Sequence, residues 1–83
     1  MDLTAELSLY PFDEDYIPPI KAFIDFLNAV PGLRVDTHAT CTIISGEDQL
    51  VFDTLRDALR WSRERGKVVL VSKMLPGYTP PGP

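Results

Sequence analysis

The chain has 83 residues, 45% hydrophobic and 24% charged, with a formal net charge of −4. That is one domain, whose core buries only about 60–65% of the unfolded surface, so oligomerisation is an expected source of added stability. The negative balance argues against nucleic acid, which needs a basic face, and suits a cationic small molecule, while the single cysteine, Cys41, excludes an internal disulfide and a multi-cysteine metal site.

Residues 2–10 alternate, with Leu3, Ala5, Leu7 and Leu9 on one face and Thr4, Glu6, Ser8 and Tyr10 on the other. Period two with one apolar face predicts a half-buried strand, which Pro11 stops. Asp13, Glu14 and Asp15 suit a helix N-terminus, and Pro18 and Pro19 fit a first turn. The spacing of Ile20, Phe23, Ile24, Leu27 and Val30 predicts a helix from about Pro19 to Val30, ended by Pro31-Gly32.

A second strand follows, with Leu33, Val35 and Thr37 opposite Arg34, Asp36 and His38. A third runs from Thr40 to Ser45, with Thr40, Thr42 and Ile44 opposing Cys41 and Ile43. The short join at Ala39 implies a tight hairpin. Ser45 to Asp48 has the spacing of a capping box. The second helix is expected from about Glu47 to Arg65, burying Val51, Phe52, Leu55, Ala58, Leu59 and Ser62, with Gly66 as its C-cap. Lys67 to Leu75 is nearly continuous in apolar residues, which predicts a central strand or one covered on both faces. The tail from Pro76 to Pro83 should be extended or mobile.

These elements predict an α+β, ferredoxin-like βαββαβ fold: a four-stranded antiparallel sheet with two helices on one face. The domain occupies 1–76 and the Pro/Gly-rich tail 77–83. No apolar run approaches the length of a membrane span of about 20 residues. No basic segment followed by an apolar one opens the chain, so a cytoplasmic location is expected.

The other sheet face is bare in one copy. It is expected to collect Glu6, Ser8 and Tyr10, then Asp36 and His38, then Thr40, Thr42 and Ile44, with Ser72 and Met74 from the last strand rather than Val71 and Lys73. Hydroxyls, a carboxylate, an imidazole and a phenol among apolar residues suit a small-molecule site. The competing reading is a plainly solvated face. His38 has no second His or Cys at metal spacing and reads first as a surface residue of the hairpin end, with ligand contact or acid–base work as alternatives. Cys41 reads as a small buried residue facing the helices. Trp61 and Leu50 lie beside the buried stripe, covering the core edge or marking a protein contact. A Gly-rich phosphate loop, a catalytic triad and a metal constellation are all missing from the pattern, so no catalytic residue, metal or cofactor is expected.

The segments "TAELSLYPF" and "THATCTIISGEDQLVFDTLRDAL" resemble the YkoF-like thiamine/hydroxymethylpyrimidine-binding proteins and the related small thiamine-binding proteins, in a layout that covers almost the whole chain. The resemblance implies non-enzymatic binding of thiamine or its hydroxymethylpyrimidine moiety on the open sheet face, in salvage or uptake. The best-known members carry two such domains in tandem, so this chain would assemble as a homodimer or homotetramer. The positions carried over in matching segments are Glu6, Ser8, Tyr10, His38, Thr40 and Thr42; Ser72 joins them from the face assignment. The alternatives are a dimeric cofactor-free monooxygenase with His38 as base, and an oligomerisation module without ligand.

Overall fold

Alternating apolar residues make β1 (Asp2–Pro11) the strand around which the sheet assembles. The computed structural model describes residues 1–82. After β1 come α1 (Ile17–Asn28), β2 (Arg34–Thr37), β3 (Thr42–Glu47), α2 (Asp48–Arg65) and β4 (Val68–Pro76). The sheet order is β2-β3-β1-β4, and all three pairings are antiparallel. This is the expected ferredoxin-like α+β arrangement. Leu3, Ala5 and Leu7 of β1 and Ile44 of β3 face the helices and pack with Phe23 and Leu27 of α1 and Val51 and Ala58 of α2. Trp61 closes one side of this core, with its ring 5.3 Å from Phe26 and 6.4 Å from Phe23.

Several local expectations change. The α1 helix starts earlier than the apolar spacing suggests, because Pro18 and Pro19 occupy its first turn, where a missing N–H costs nothing. No capping box forms at α2: the Glu47 N-cap bonds no helix N–H and instead accepts from the Met1 ammonium at 3.1 Å, and the Asp48 N–H donates to the Met1 carbonyl. On α2 the buried residues are Val51, Thr54, Ala58 and Ser62, whereas Phe52 and Leu59 point outward. Apolar character overstated the buried arc, and Thr54 is accommodated by donating its hydroxyl to the Leu50 carbonyl at 2.7 Å.

β4 is an edge strand, not a central one. Its neighbour is β1 alone, so its continuous apolar run leaves Val69, Val71 and Leu75 exposed. The register also corrects the face assignments. Leu7 opposes both Thr42 and Ser72, Ala5 opposes both Ile44 and Met74, and Glu6 opposes Ile43 and Lys73. Since Leu7 and Ala5 face the helices, so do Thr42, Ile44, Ser72 and Met74. Ile43, Val71 and Lys73 join Glu6 on the open face. A one-residue error in register turns a whole strand over, and the β-branched run from Thr40 to Ile44 offers no polar alternation to fix it.

The tail is extended, as expected, but it is docked. Gly77, at φ 77°, turns the chain after β4. Residues 78–81 then cross the open face. The Thr4 hydroxyl donates to the Tyr78 carbonyl at 2.6 Å, and the Thr79 hydroxyl donates to the Asp2 carboxylate at 2.8 Å. Arg34 donates to the carbonyls of Pro80 and Pro81 at 2.9 and 2.7 Å. Thr4, Ser45 and Arg34 are side by side across β1, β3 and β2, so the tail straps one end of this face. Pro83 lies outside the described residues.

Candidate functional site: a cavity between the sheet and α1

The pairing of β1 with β3 ends at Leu7 and Thr42, while β1 continues along β4 as far as Pro11. From Ser8 onward β1 therefore has a free edge on the β3 side. Alternate residues there present backbone N–H and C=O groups with no ladder partner. A cavity of about 480 Å³ fills the space that β3 leaves. Leu7 and Leu9 form its floor, Ile20, Phe23 and Ile24 of α1 one wall, and the hairpin turn at 38–41 another. The loop after β1 closes the end with Asp13 and Tyr16. Its volume is in the range of small-molecule sites.

The polar groups are few and placed. Thr42 is only 6% exposed, and among the described residues no side chain or backbone group hydrogen-bonds its hydroxyl. That oxygen is also not enclosed, so it opens on the cavity. Ser8 donates to the Thr40 carbonyl at 3.3 Å, tying β1 to the hairpin turn. The turn itself is closed by the His38 N–H donating to the Cys41 carbonyl at 2.9 Å. Asp13 accepts from the Asp15 N–H at 3.0 Å, which holds the loop in shape. No lysine or arginine lines the cavity among the described residues, so its one formal charge is the Asp13 carboxylate.

Five of the seven expected site residues meet here: Ser8, Tyr10, His38, Thr40 and Thr42. They meet at the free edge of β1, where Thr42 is on the helix-facing side while Ser8 and Tyr10, alternating with Leu7 and Leu9, leave their side chains on the open face. The other two lie elsewhere. Glu6 is on the open face, 4.0 Å from the Lys73 ammonium. Ser72 is on the helix-facing side of the edge strand, donating to the Met74 sulfur at 3.1 Å. The sequence reading missed Asp13, Tyr16 and Cys41. Cys41 precedes β3 and lines the cavity rather than sitting under the helices. Asp13 and Tyr16 belong to the loop between β1 and α1, where no periodicity marks a direction. Among the described residues no three His, Cys, Asp or Glu side chains converge on a point that could hold a metal ion. No described helix is long and apolar enough to cross a membrane.

Solved structures share this architecture. A protein from Thermotoga maritima, named for a suspected role in thiamine biosynthesis or salvage, superposes with a TM-score of 0.78 at 18% identity, over 89% of this chain and 82% of that one. A protein from Streptococcus pneumoniae gives 0.85 at 20% identity, over 94% and 89%. A domain of unknown function from Bacillus cereus gives 0.76 at 21% identity, over 96% and 78%. At these identities the likeness establishes the fold. No curated protein sequence matches the chain. The model of the YkoF-related family matches residues 3–80, nearly the full length, and the chain belongs to that family.

Proposed function

We propose that the protein binds thiamine or its hydroxymethylpyrimidine moiety in the cavity between β1, the hairpin turn and α1, and releases it unchanged. The free edge of β1 beside the unpartnered Thr42 hydroxyl carries this reading. A flat aminopyrimidine has donors and acceptors in its plane and apolar faces. A strand edge offers hydrogen bonds in one plane, and Phe23, Ile24 and Leu9 offer apolar surface to the faces. The thiazolium of thiamine is cationic. A cavity lined by Asp13 and without a lysine or arginine favours a cation over an anion. The suspected thiamine role of the Thermotoga maritima relative and the family membership point the same way.

The expected location of the ligand therefore moves from the open face to the cavity, and Glu6 and Ser72 leave the contact set. Ser8, Tyr10, His38, Thr40 and Thr42 remain in it, joined by Asp13. Assembly with further copies fits the edge strand β4, whose unpaired backbone edge adjoins the exposed Val69, Val71 and Leu75. A salvage role in the cytoplasm completes the reading.

A dissociation constant of roughly micromolar order is expected, with stacking and apolar burial supplying most of the affinity and a few hydrogen bonds adding about 0.5–1.5 kcal/mol each. Calorimetric titration with thiamine, hydroxymethylpyrimidine and an unrelated heterocycle of equal size tests it. Saturable binding of one of the first two, with the ligand recovered intact after long incubation, is the expected result. Equal binding of all three, or none, overturns the ligand class, and conversion of the ligand overturns the non-enzymatic role.

A further inference from the structure

The outer face of α2 carries an apolar stripe that the monomer does not use. Phe52 is 56% exposed and Leu59 is 51% exposed, although the core residues of the same helix are sealed. Seven residues apart, they lie on one face two turns from each other. Half-buried Leu55 lies between them, and Asp48 and Arg63 continue the stripe at its two ends. The spacing from Asp48 to Phe52, Leu55, Leu59 and Arg63 is three or four at every step, the pattern of a helix face that packs against another helix.

The charges along the helix are ordered. Its first ten residues hold Asp48, Asp53 and Asp57 against Arg56, and its last six hold Arg60, Arg63 and Arg65 against Glu64, so the first part is net acidic and the last net basic. A parallel neighbour of the same sequence would set like charge against like. An antiparallel copy sets acid against base. When Phe52 is placed opposite Leu59 of a second copy, Asp48 falls opposite Arg63 of that copy with no further adjustment. Both pairs are centred on the same point, between Leu55 and Arg56, which is the condition for a two-fold axis.

We propose that this stripe is a self-association surface, on which α2 of a second copy packs antiparallel with Phe52 against Leu59 and Asp48 paired with Arg63. The occupant is a second copy because one register satisfies the apolar and the charged pairs together. Asp48 and Arg63 each lie about 11 Å along the helix from the axis. They meet their partners only if the helices cross at the shallow angle of about 20°, not at about 50°. Arg56 approaches its own copy near the axis, but its charge is held by Asp53 at 3.4 Å and Asp57 at 3.6 Å. Asp48 has a competing partner, the Met1 ammonium at 3.5 Å, which the Arg63 guanidinium would join or displace. The contact uses the helical layer and leaves the cavity and β4 free, so it does not rest on the ligand reading.

A single helix stripe buries an area at the weak end of specific interfaces, so association of the isolated contact belongs at roughly tens of micromolar. Sedimentation velocity on the full chain without ligand, over a wide concentration range at low salt, compares the parent with Asp48→Arg, Arg63→Asp and the double variant. Each single variant creates two like-charge contacts per dimer and should weaken association at least about tenfold. The double variant should restore it. Dipolar spectroscopy on a nitroxide at Arg56→Cys, in a Cys41→Ser background, provides a second readout that other contacts between copies would not mimic. Labels beside the two-fold axis should give one short distance that the Leu59→Arg change abolishes. Single charge variants that associate like the parent, a double variant as weak as the singles, or no short distance between labels would each overturn the proposal.

Discussion

The hydroxyl of Thr4, on the first strand, donates a 2.6 Å hydrogen bond to the carbonyl of Tyr78, in the tail. Thr4 is 2% exposed although it points away from the helices, because the tail and not a second layer covers it. Replacing it with valine keeps the shape and leaves the Tyr78 carbonyl without its donor. The expected loss is about 0.5–1.5 kcal/mol. For a domain of this size that lowers the melting temperature by several degrees, about 4–8 °C per kcal/mol. Hydrogen exchange should localise the change to residues 77–82, and an unchanged melting temperature together with unchanged exchange would count against the strap.

Gly77→Ala tests the same strap from its hinge. At φ 77° an alanine is strained by roughly 1–2 kcal/mol, although nothing lies within 4 Å of the added methyl group. The expected outcome is a loosened tail and readier proteolysis after Pro76, with the four-stranded sheet intact by circular dichroism. Protease resistance equal to the parent's would show that the turn tolerates the side chain.

Thr42→Val should separate binding from folding. The hydroxyl has no partner among the described residues, so its removal takes no hydrogen bond from the fold, and the shape is kept. Stability should change by less than about 0.5 kcal/mol or rise slightly. Affinity for the pyrimidine ligand should fall roughly three- to tenfold, the worth of one hydrogen bond. A calorimetric titration that returns the parent's dissociation constant would remove Thr42 from the site.

Asp13→Asn distinguishes the two candidate ligands by charge. The carboxylate attracts the thiazolium cation and has no such attraction for neutral hydroxymethylpyrimidine. Thiamine affinity should drop by about 1–2 kcal/mol, and hydroxymethylpyrimidine affinity should hold. The effect on thiamine should shrink as salt is added. Equal losses for both ligands would mean that Asp13 shapes the loop rather than attracting charge.

Leu27→Ala probes the core directly. Leu27 is fully enclosed between α1 and the sheet, and its truncation leaves a cavity that costs about 2–5 kcal/mol. A chain of this length has a total stability of only about 4–12 kcal/mol, so the variant should unfold at a much lower urea concentration. A midpoint shift smaller than that of Thr4→Val would contradict the packing described.

The order of elements was legible because two periods alternate cleanly along the chain. Leu3 to Leu9 reads as a strand, and Phe23 to Leu27 reads as a helix face, whichever partner each one meets. What was not legible depends on partners. Thr40 to Ile44 has no polar alternation, so its side of the sheet is set by the pairing of Ile44 with Ala5, a long-range fact. Val69 and Val71 look buried by composition and are exposed because β4 has a neighbour on one side only. The cavity itself comes from a mismatch in strand length, β1 running past the start of β3. No single segment records that mismatch. Ser8, Tyr10, His38, Thr40 and Thr42 line this one cavity, Glu6 and Ser72 of the same expected set lie elsewhere, and Asp13 depends on the loop that places it.

The sheet order has a consequence for the way the protein is made. Of the four strands β1 is synthesised first and β4 last, yet the two are neighbours, with β1 between β3 and β4. Every residue of β1 from Leu3 to Pro11 pairs with β4, at sequence separations that approach the length of the chain. Until β4 emerges, one long side of β1 has no partner, and the Thr4 and Asp2 contacts to the tail wait longer still. Closing loops of that length carries its entropic cost before any contact rewards it, which makes such pairing slow. The domain is therefore built to fold as one cooperative unit once β4 is available, and a chain cut short before β4 would leave β1 without the partner of one whole side.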